Sequence, residues 1–455
     1  MNARNVFDTD KIGSLLLKLT APAFIGMAVT TLYNVVDTIF IGHYVGHLAI
    51  AGLSIVFPVQ MFSMGVGQMM GMGGASLISR LHGRGKIEEA EKVLGNAISA
   101  TIIFSILVMV AGLANINYLL TMIGASPDTL PFARDYLQII LIGMFFQTFA
   151  MSLNFLIRSE GNSRVPMKGM MIGAVANITL DAIFIIPLGM GVKGAALATI
   201  IAQFISVLYF AYYYKSGASY FKILIKNLRI RWSVLWSIIA IGFASLARMT
   251  ANSFSVVLIN IALGTYGGDL AISAYGIINR ISMFALMPGI VIGQGMQPIL
   301  GYNYGAGRYD RALKVLKLSI ISATAFGMAS FVVLYFLPHL LIHIFTSDSA
   351  VIELGIYAAK RVFFIIYIVG FIMVGSTSFQ ALGKVWQSIV SSMARSVLFL
   401  IPAILLLPRF WQLDGIWLAF PITDALTFLL TASLFLPQFI NLIKAKRLED
   451  IRQAG

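Results

Sequence analysis

The chain contains no cysteine. That excludes a disulfide framework, thiolate metal sites, a thiol nucleophile and thiol redox switching. Charge is scarce as well: Asp, Glu, Lys and Arg make up 11%, where a soluble chain carries about 25%, while hydrophobic residues reach 59%. So little polar surface cannot coat the roughly three soluble domains that 455 residues would otherwise suggest. Histidines number five, at span ends or in loops; His339 and His343 are spaced for one helical face, but no further ligand stands beside them, so no metal site is expected there. The first ten residues lack the basic segment, apolar core and small-residue cleavage site of a removable signal, so the first apolar segment is expected to remain in the mature chain.

What is present is a series of long apolar runs, each near the roughly 20 residues that a membrane-spanning helix needs. Twelve spans are expected at about 14–41, 48–79, 93–118, 132–157, 166–188, 194–214, 235–262, 270–300, 315–343, 352–380, 386–408 and 414–442. The chain therefore reads as an all-α integral membrane protein with loops too short for a catalytic domain. A net charge of +14 would suggest nucleic acid in a soluble chain, but 24 of the 32 Lys and Arg residues fall on one side of the predicted spans. By the positive-inside rule that side, with both termini, is expected to be cytoplasmic, in the plasma membrane of a prokaryote. No nucleic-acid partner is expected.

The most basic loop, Lys215 to Trp232, lies almost at the midpoint and separates two six-span halves, 1–228 and 229–455. Aligning residue n with n+222 without gaps gives 16 identities in 49 positions between Gly46–Leu94 and Gly268–Leu316, among them Gly67/Gly289, Gly71/Gly293, Gly73/Gly295 and Gly85/Gly307. Because six is even, the two copies have the same orientation and are expected to form two pseudo-symmetric lobes related by an axis along the membrane normal. Such lobes can enclose a cavity and rock against each other.

Three acids lie well inside spans: Asp37, Asp181 and Asp424. A carboxylate near mid-membrane costs about 2.5–3.5 kcal/mol on insertion scales, so its presence points to function. Tyr33 and Asn34 precede Asp37 on its helical face, and Asn177 precedes Asp181 by four residues. Both acids sit near the outer ends of outward-running spans, at depths that differ by about 4–5 Å. A paired carboxylate site in the first half would take up a proton or a small cation; two separate structural acids are the plainer alternative. The repeat does not reproduce this site, since Asp37 aligns with Ile259. The second half instead carries Arg248, Arg280 and Arg395 inside spans, and the expected arrangement is a structural charge pair of Arg280 with Asp424. Pro22, inside the first span, permits a kink. With 22 methionines and many aromatics the chain can line a cavity for varied apolar ligands. No nucleophile, base and orienting group converge, so an enzyme is not expected.

The chain resembles the multidrug and toxic compound extrusion (MATE) transporters along nearly its whole length. The resemblance is carried by Tyr33-Asn34-Val35-Val36-Asp37-Thr38, Arg80-Leu81-His82-Gly83-Arg84-Gly85, Asn177-Ile178-Thr179-Leu180-Asp181, Gly194-Ala195-Ala196-Leu197-Ala198-Thr199 and Tyr304-Gly305-Ala306-Gly307-Arg308. It implies a V-shaped pair of lobes that exports drugs and other organic cations by antiport against protons or Na⁺. No cofactor is expected, and the chain is expected to be a monomer in the bilayer. In the branch it resembles, Asp37, Asn177, Asp181 and Thr199 form the cation site, with Na⁺ at Asp37 and Asp181 as the alternative to a proton. Tyr33, Asn34, Tyr136, Asn154 and Met170 line the adjoining substrate cavity, and Pro22 is the hinge of the first span. A lipid-linked saccharide flippase of similar two-lobed fold is the alternative; it would want the membrane arginines for its pyrophosphate.

Overall fold

A computed structural model of the chain describes residues 6–9, 11–45, 47–123 and 129–454. Within them the protein is helical, with no strand. A bilayer interior offers backbone groups no water, and a helix satisfies them within one segment. After a short α1 (Val6–Thr9) come α2 (Ile12–Tyr44), α3 (His47–Gly83), α4 (Ile87–Ala114), the short α5 (Ile116–Met122), α6 (Leu130–Arg158), α7 (Arg164–Ile185) and α8 (Gly191–Lys215). Beyond the basic loop follow α9 (Trp232–Gly305), α10 (Tyr309–Phe336), α11 (Pro338–His343), α12 (Ser349–Val362), α13 (Val369–Leu382), α14 (Val385–Met393), α15 (Ile401–Leu406) and α16 (Pro408–Ala454). A π-helical segment, Ala394–Leu400, joins α14 to α15.

Ten helical stretches are long and apolar enough to cross a bilayer, and α12 with α13, bent by 49°, make an eleventh. The 74 residues of α9 would run about 110 Å at 1.5 Å per residue, far beyond one bilayer. Gly268 (φ 63°, ψ −164°) breaks that helix, so it supplies two spans. The described residues thus hold the twelve spans expected.

Two compact units emerge, and they divide the chain differently from the halves 1–228 and 229–455. Unit 1 is Met1–Thr9 with Ala21–Thr250, and unit 2 is Asp10–Thr20 with Ala251–Gly455. The reason lies in packing at helix starts. Leu235 and Ile238, on the first turns of α9, are buried in the core of unit 1 with residues of α3, α4, α6 and α8. In unit 2, a Cβ on Gly295 of α9 would strike Thr20 and Leu19 of α2.

Close approaches within the units repeat at the 222-residue offset. In unit 1 a Cβ on Gly67 would come within 2.7 Å of the Thr148 carbonyl oxygen and 3.0 Å of Met151, and one on Gly71 within 2.9 Å of Ser152 and 3.1 Å of Phe155. In unit 2 a Cβ on Gly289 would lie 3.0 Å from Met373, and one on Gly293 3.0 Å from Thr377. Met373 and Thr377 stand 222 residues after Met151 and Phe155. Small residues that let helix backbones approach are how membrane helices pack without a hydrophobic force between them. The turns repeat too: Gly85 (φ 73°) and Gly307 (φ 74°) each close a tight turn in the left-handed region.

Candidate functional site

The two N-terminal acids are brought to one level by helix packing in unit 1. A Cβ on Gly26 of α2 would meet the Met170 sulfur of α7 at 2.9 Å and the Met167 backbone at 3.4 Å. Asp37 lies 11 residues beyond Gly26, and Asp181 lies 11 residues beyond Met170. As first and fifth spans, α2 and α7 run in the same direction, so each acid sits about 16 Å further along from that contact. Asp37 and Asp181 are within electrostatic reach of each other.

Asp181 is fully buried, at 0% exposure. Neither of its carboxylate oxygens has a hydrogen-bond partner among the described residues, and one buried oxygen of Asp37 also has none. Buried polar groups are otherwise almost always satisfied, and a lone buried carboxylate is costly. Such a pair stores demand for a proton or a cation. Around it stand neutral polar groups. The Asn177 side-chain amide donates to the Thr199 hydroxyl at 3.4 Å, while the Asn177 amide oxygen is buried with no partner among the described residues. Tyr33 is hydrogen-bonded to Gln203 and feels both acids. Tyr136, on α6, is hydrogen-bonded to Gln60 and also feels both acids.

The structure therefore gathers Tyr33, Asp37, Tyr136, Asn177, Asp181 and Thr199 into one cluster, all within unit 1. Met170 belongs below it, against Gly26. Asn154 is buried but lies 18 residues along α6 from Tyr136, about 27 Å on a helix, so it is not beside the acids. Asn34 is exposed, and its carbonyl accepts from the Thr38 hydroxyl at 2.9 Å. Pro22 follows the boundary of the units at Thr20/Ala21 by one residue. Having no N–H, it cannot donate the hydrogen bond that a helix makes four residues back.

A small cavity of about 10 Å³ touches the cluster, lined by Thr199 together with Gln60, Gln147 and Gln203. It is roughly the size that holds one water. These three glutamines were not anticipated. Their signal in the sequence is an amide in the middle of an apolar run, which a search for ionisable groups passes over.

In unit 2 the expected pair is corrected. Asp424 is bound by Arg395, not by Arg280: Arg395 Nε donates to Oδ1 at 2.6 Å and Nη2 to Oδ2 at 3.4 Å. Arg280 is exposed. The π-helical segment that carries Arg395 packs against α16, which carries Asp424, and so brings these two charges together.

A family model described as MatE matches residues 22–183 and, a second time, 244–405. The displacement between the two matches is again 222 residues. The chain belongs to the MatE family. Its MatE relatives include the multidrug export protein MepA of Staphylococcus aureus (strain MRSA252), 24% identical over 422 residues and covering 92% of each chain. MepA of Staphylococcus saprophyticus is 25% identical over 412 residues, covering 90% of each. Among solved structures, the MATE multidrug transporter DinF-BH, in complex with a ligand, is 39% identical with a TM-score of 0.90, covering 95% of this chain and 97% of that one. A multidrug resistance MATE family transporter of the MOP superfamily in an outward-facing conformation has the same fold, with a TM-score of 0.92 at 24% identity, covering 97% and 99%.

Proposed function

We propose that the protein is a multidrug efflux transporter of the plasma membrane that exports organic cations by alternating access, driven by a proton that enters on Asp37 and Asp181. The observation that carries this is Asp181, wholly buried with both oxygens unsatisfied, beside a second acid. A proton satisfies the pair without further ligands. Na⁺ is the alternative coupling ion; it would need several oxygen ligands, drawn from Asn177, Thr199, Tyr33 and Tyr136 around the acids, whereas a proton needs none. Both termini lie in the cytoplasm on this reading, by the placement of the basic loops.

Uptake of the cation from outside weakens drug binding and releases drug, and the loaded lobe then returns inward. Pro22 supplies the bend of the first span, since it cannot donate the helix hydrogen bond. Each positive charge moving inward contributes about 2.3 kcal/mol per 100 mV. That sustains roughly a fortyfold drug gradient at this voltage, by the tenfold per 1.4 kcal/mol rule. The flippase reading loses support because Arg395 is already held by Asp424 and so cannot serve a pyrophosphate.

The test is drug movement in proteoliposomes under an imposed proton gradient and then an imposed sodium gradient. Wild-type protein should accumulate drug under the first. The Asp37→Asn variant should insert normally yet show no gradient-driven movement; transport at the wild-type rate would overturn the assignment.

A further inference from the structure

Outside the acid cluster, unit 2 has a second chemical feature: an open cavity of about 590 Å³ where the start of α2 meets the first turns of α10. Its volume falls within the roughly 300–1,000 Å³ usual for ligand sites. Four cations line it, Lys11, Arg311, Lys314 and Lys317, against one carboxylate, Asp310. Arg311 is held in place by its Nε, which donates to the Asn303 side-chain oxygen at 3.1 Å. The two lysines on α10 are exposed. Each wall is also the N-terminal end of a long helix, α2 of 33 residues and α10 of 28, whose dipole favours an anion.

The stripe on α10 has a direction. Lys314, Lys317, Leu318 and Ile321 fall at i, i+3, i+4 and i+7, one helical face. Along that face the lining changes from cationic to apolar within about 10 Å. Leu318 and Ile321 are 37% and 54% exposed, unusual for a cavity meant for a fully hydrated ion. Charge at one end and exposed apolar surface at the other match a molecule with a phosphate headgroup and an acyl chain.

We propose that this cavity binds an anionic phospholipid, the phosphate held by Lys11, Arg311, Lys314 and Lys317 and the upper acyl chain laid on Leu318 and Ile321. Basic pockets between spans are a recognised way of holding such headgroups. Bound there, the lipid ties the start of α2 to α10 inside unit 2. The site does not depend on the export reading, because binding is measured without any gradient or drug.

The experiment titrates delipidated, detergent-solubilised full-length protein with phosphatidylglycerol or phosphatidylcholine of the same acyl chains, reading bound lipid by native mass spectrometry. Phosphatidylglycerol should bind at least tenfold more tightly. The double variant Lys314→Gln/Lys317→Gln should bring it down to the phosphatidylcholine level. The control pair Lys215→Gln/Lys222→Gln, exposed cations outside the cavity, should leave it unchanged. Leu318→Ser should weaken phosphatidylglycerol while binding of glycerol phosphate stays as it was. Equal binding of the two lipids, or equal loss in the control pair, would overturn the site. Displacement of phosphatidylglycerol by equimolar glycerol phosphate would assign the cavity to a soluble anion and overturn the lipid.

Discussion

Where unit 2 holds the Arg395–Asp424 ion pair, unit 1 holds Gly173 and Ala202, the positions 222 residues earlier. A Cβ on Gly173 would lie 3.4 Å from the Ala202 carbonyl oxygen and would strike the Ser206 hydroxyl. The same helix–helix contact is thus made by two small residues in one unit and by two opposite charges in the other. The acids show the converse. Asp37 and Asp181 align with Ile259 and Ala403, and the buried Glu160 aligns with the buried Leu382. In unit 1 both oxygens of Asp181 and one of Asp37 have no hydrogen-bond partner among the described residues, whereas in unit 2 Arg395 is paired with Asp424. The two copies thus share packing and turns but differ in where their charged residues stand.

The largest effect should come from Asp181→Asn: gradient-driven drug accumulation in proteoliposomes should fall to the level of protein-free vesicles. Asp424→Asn should leave the direction of coupling intact. If it abolished coupling as fully without loss of stability, the contrast between the units would be wrong. Its own effect should be on folding. Removing the acid strands Arg395, whose side chain is 34% exposed, so the cost should be near the lower end of the range for broken buried pairs, about 3 kcal/mol. The double variant Arg395→Met/Asp424→Leu should recover most of that loss, read as the midpoint of denaturant unfolding.

Glu160 offers a pH test. It sits in the turn after α6, where the Tyr213 hydroxyl (3.0 Å), the Ser219 hydroxyl (2.8 Å) and the Tyr220 N–H (3.0 Å) donate to its carboxylate. Burial pushes its pKa up from 4.5 to about 7, only partly opposed by those donors. The folded protein therefore holds a proton that the unfolded chain releases between pH 4.5 and 7. Its contribution to stability should fall as pH rises through that window, by about 3 kcal/mol in all, and level off above it. Melting temperatures should fall more steeply with pH in wild type than in Glu160→Gln across this window; equal slopes would refute it. The smallest effect should be from Gly173→Ala, about 1–2 kcal/mol of overpacking against Ser206. Ala394→Gly, one residue before Arg395, should show no such crowding term.

The spans, the repeat and the acid cluster were legible because each has a strong physical signature: apolar length, a fixed offset, and charge in an apolar run. Thr199 and Tyr136 were reachable only through the family resemblance, for a hydroxyl in a membrane helix is cheap and common. Gln60, Gln147 and Gln203 carry no charge to mark them. Helical spacing shows which residues share a face but not which helix that face meets, which is why Asp424 was matched with Arg280 before its neighbour Arg395 was visible. Division at the basic loop also rested on linear order. Packing instead assigns residues 10–20 to unit 2 and carries unit 1 on to Thr250.

That exchange of helix starts has a consequence for biosynthesis. Residues 10–20 leave the ribosome about 230 residues before Ala251, where the rest of their own unit begins. At roughly 5–20 residues per second this is a wait of about 10–50 s, during which the first segment of the chain has no finished place to dock. Unit 1 in turn cannot close until translation has passed the basic loop and reached Thr250. A protease cut or a gene split within Lys215–Trp232 would therefore deliver two fragments, neither of which contains a whole unit.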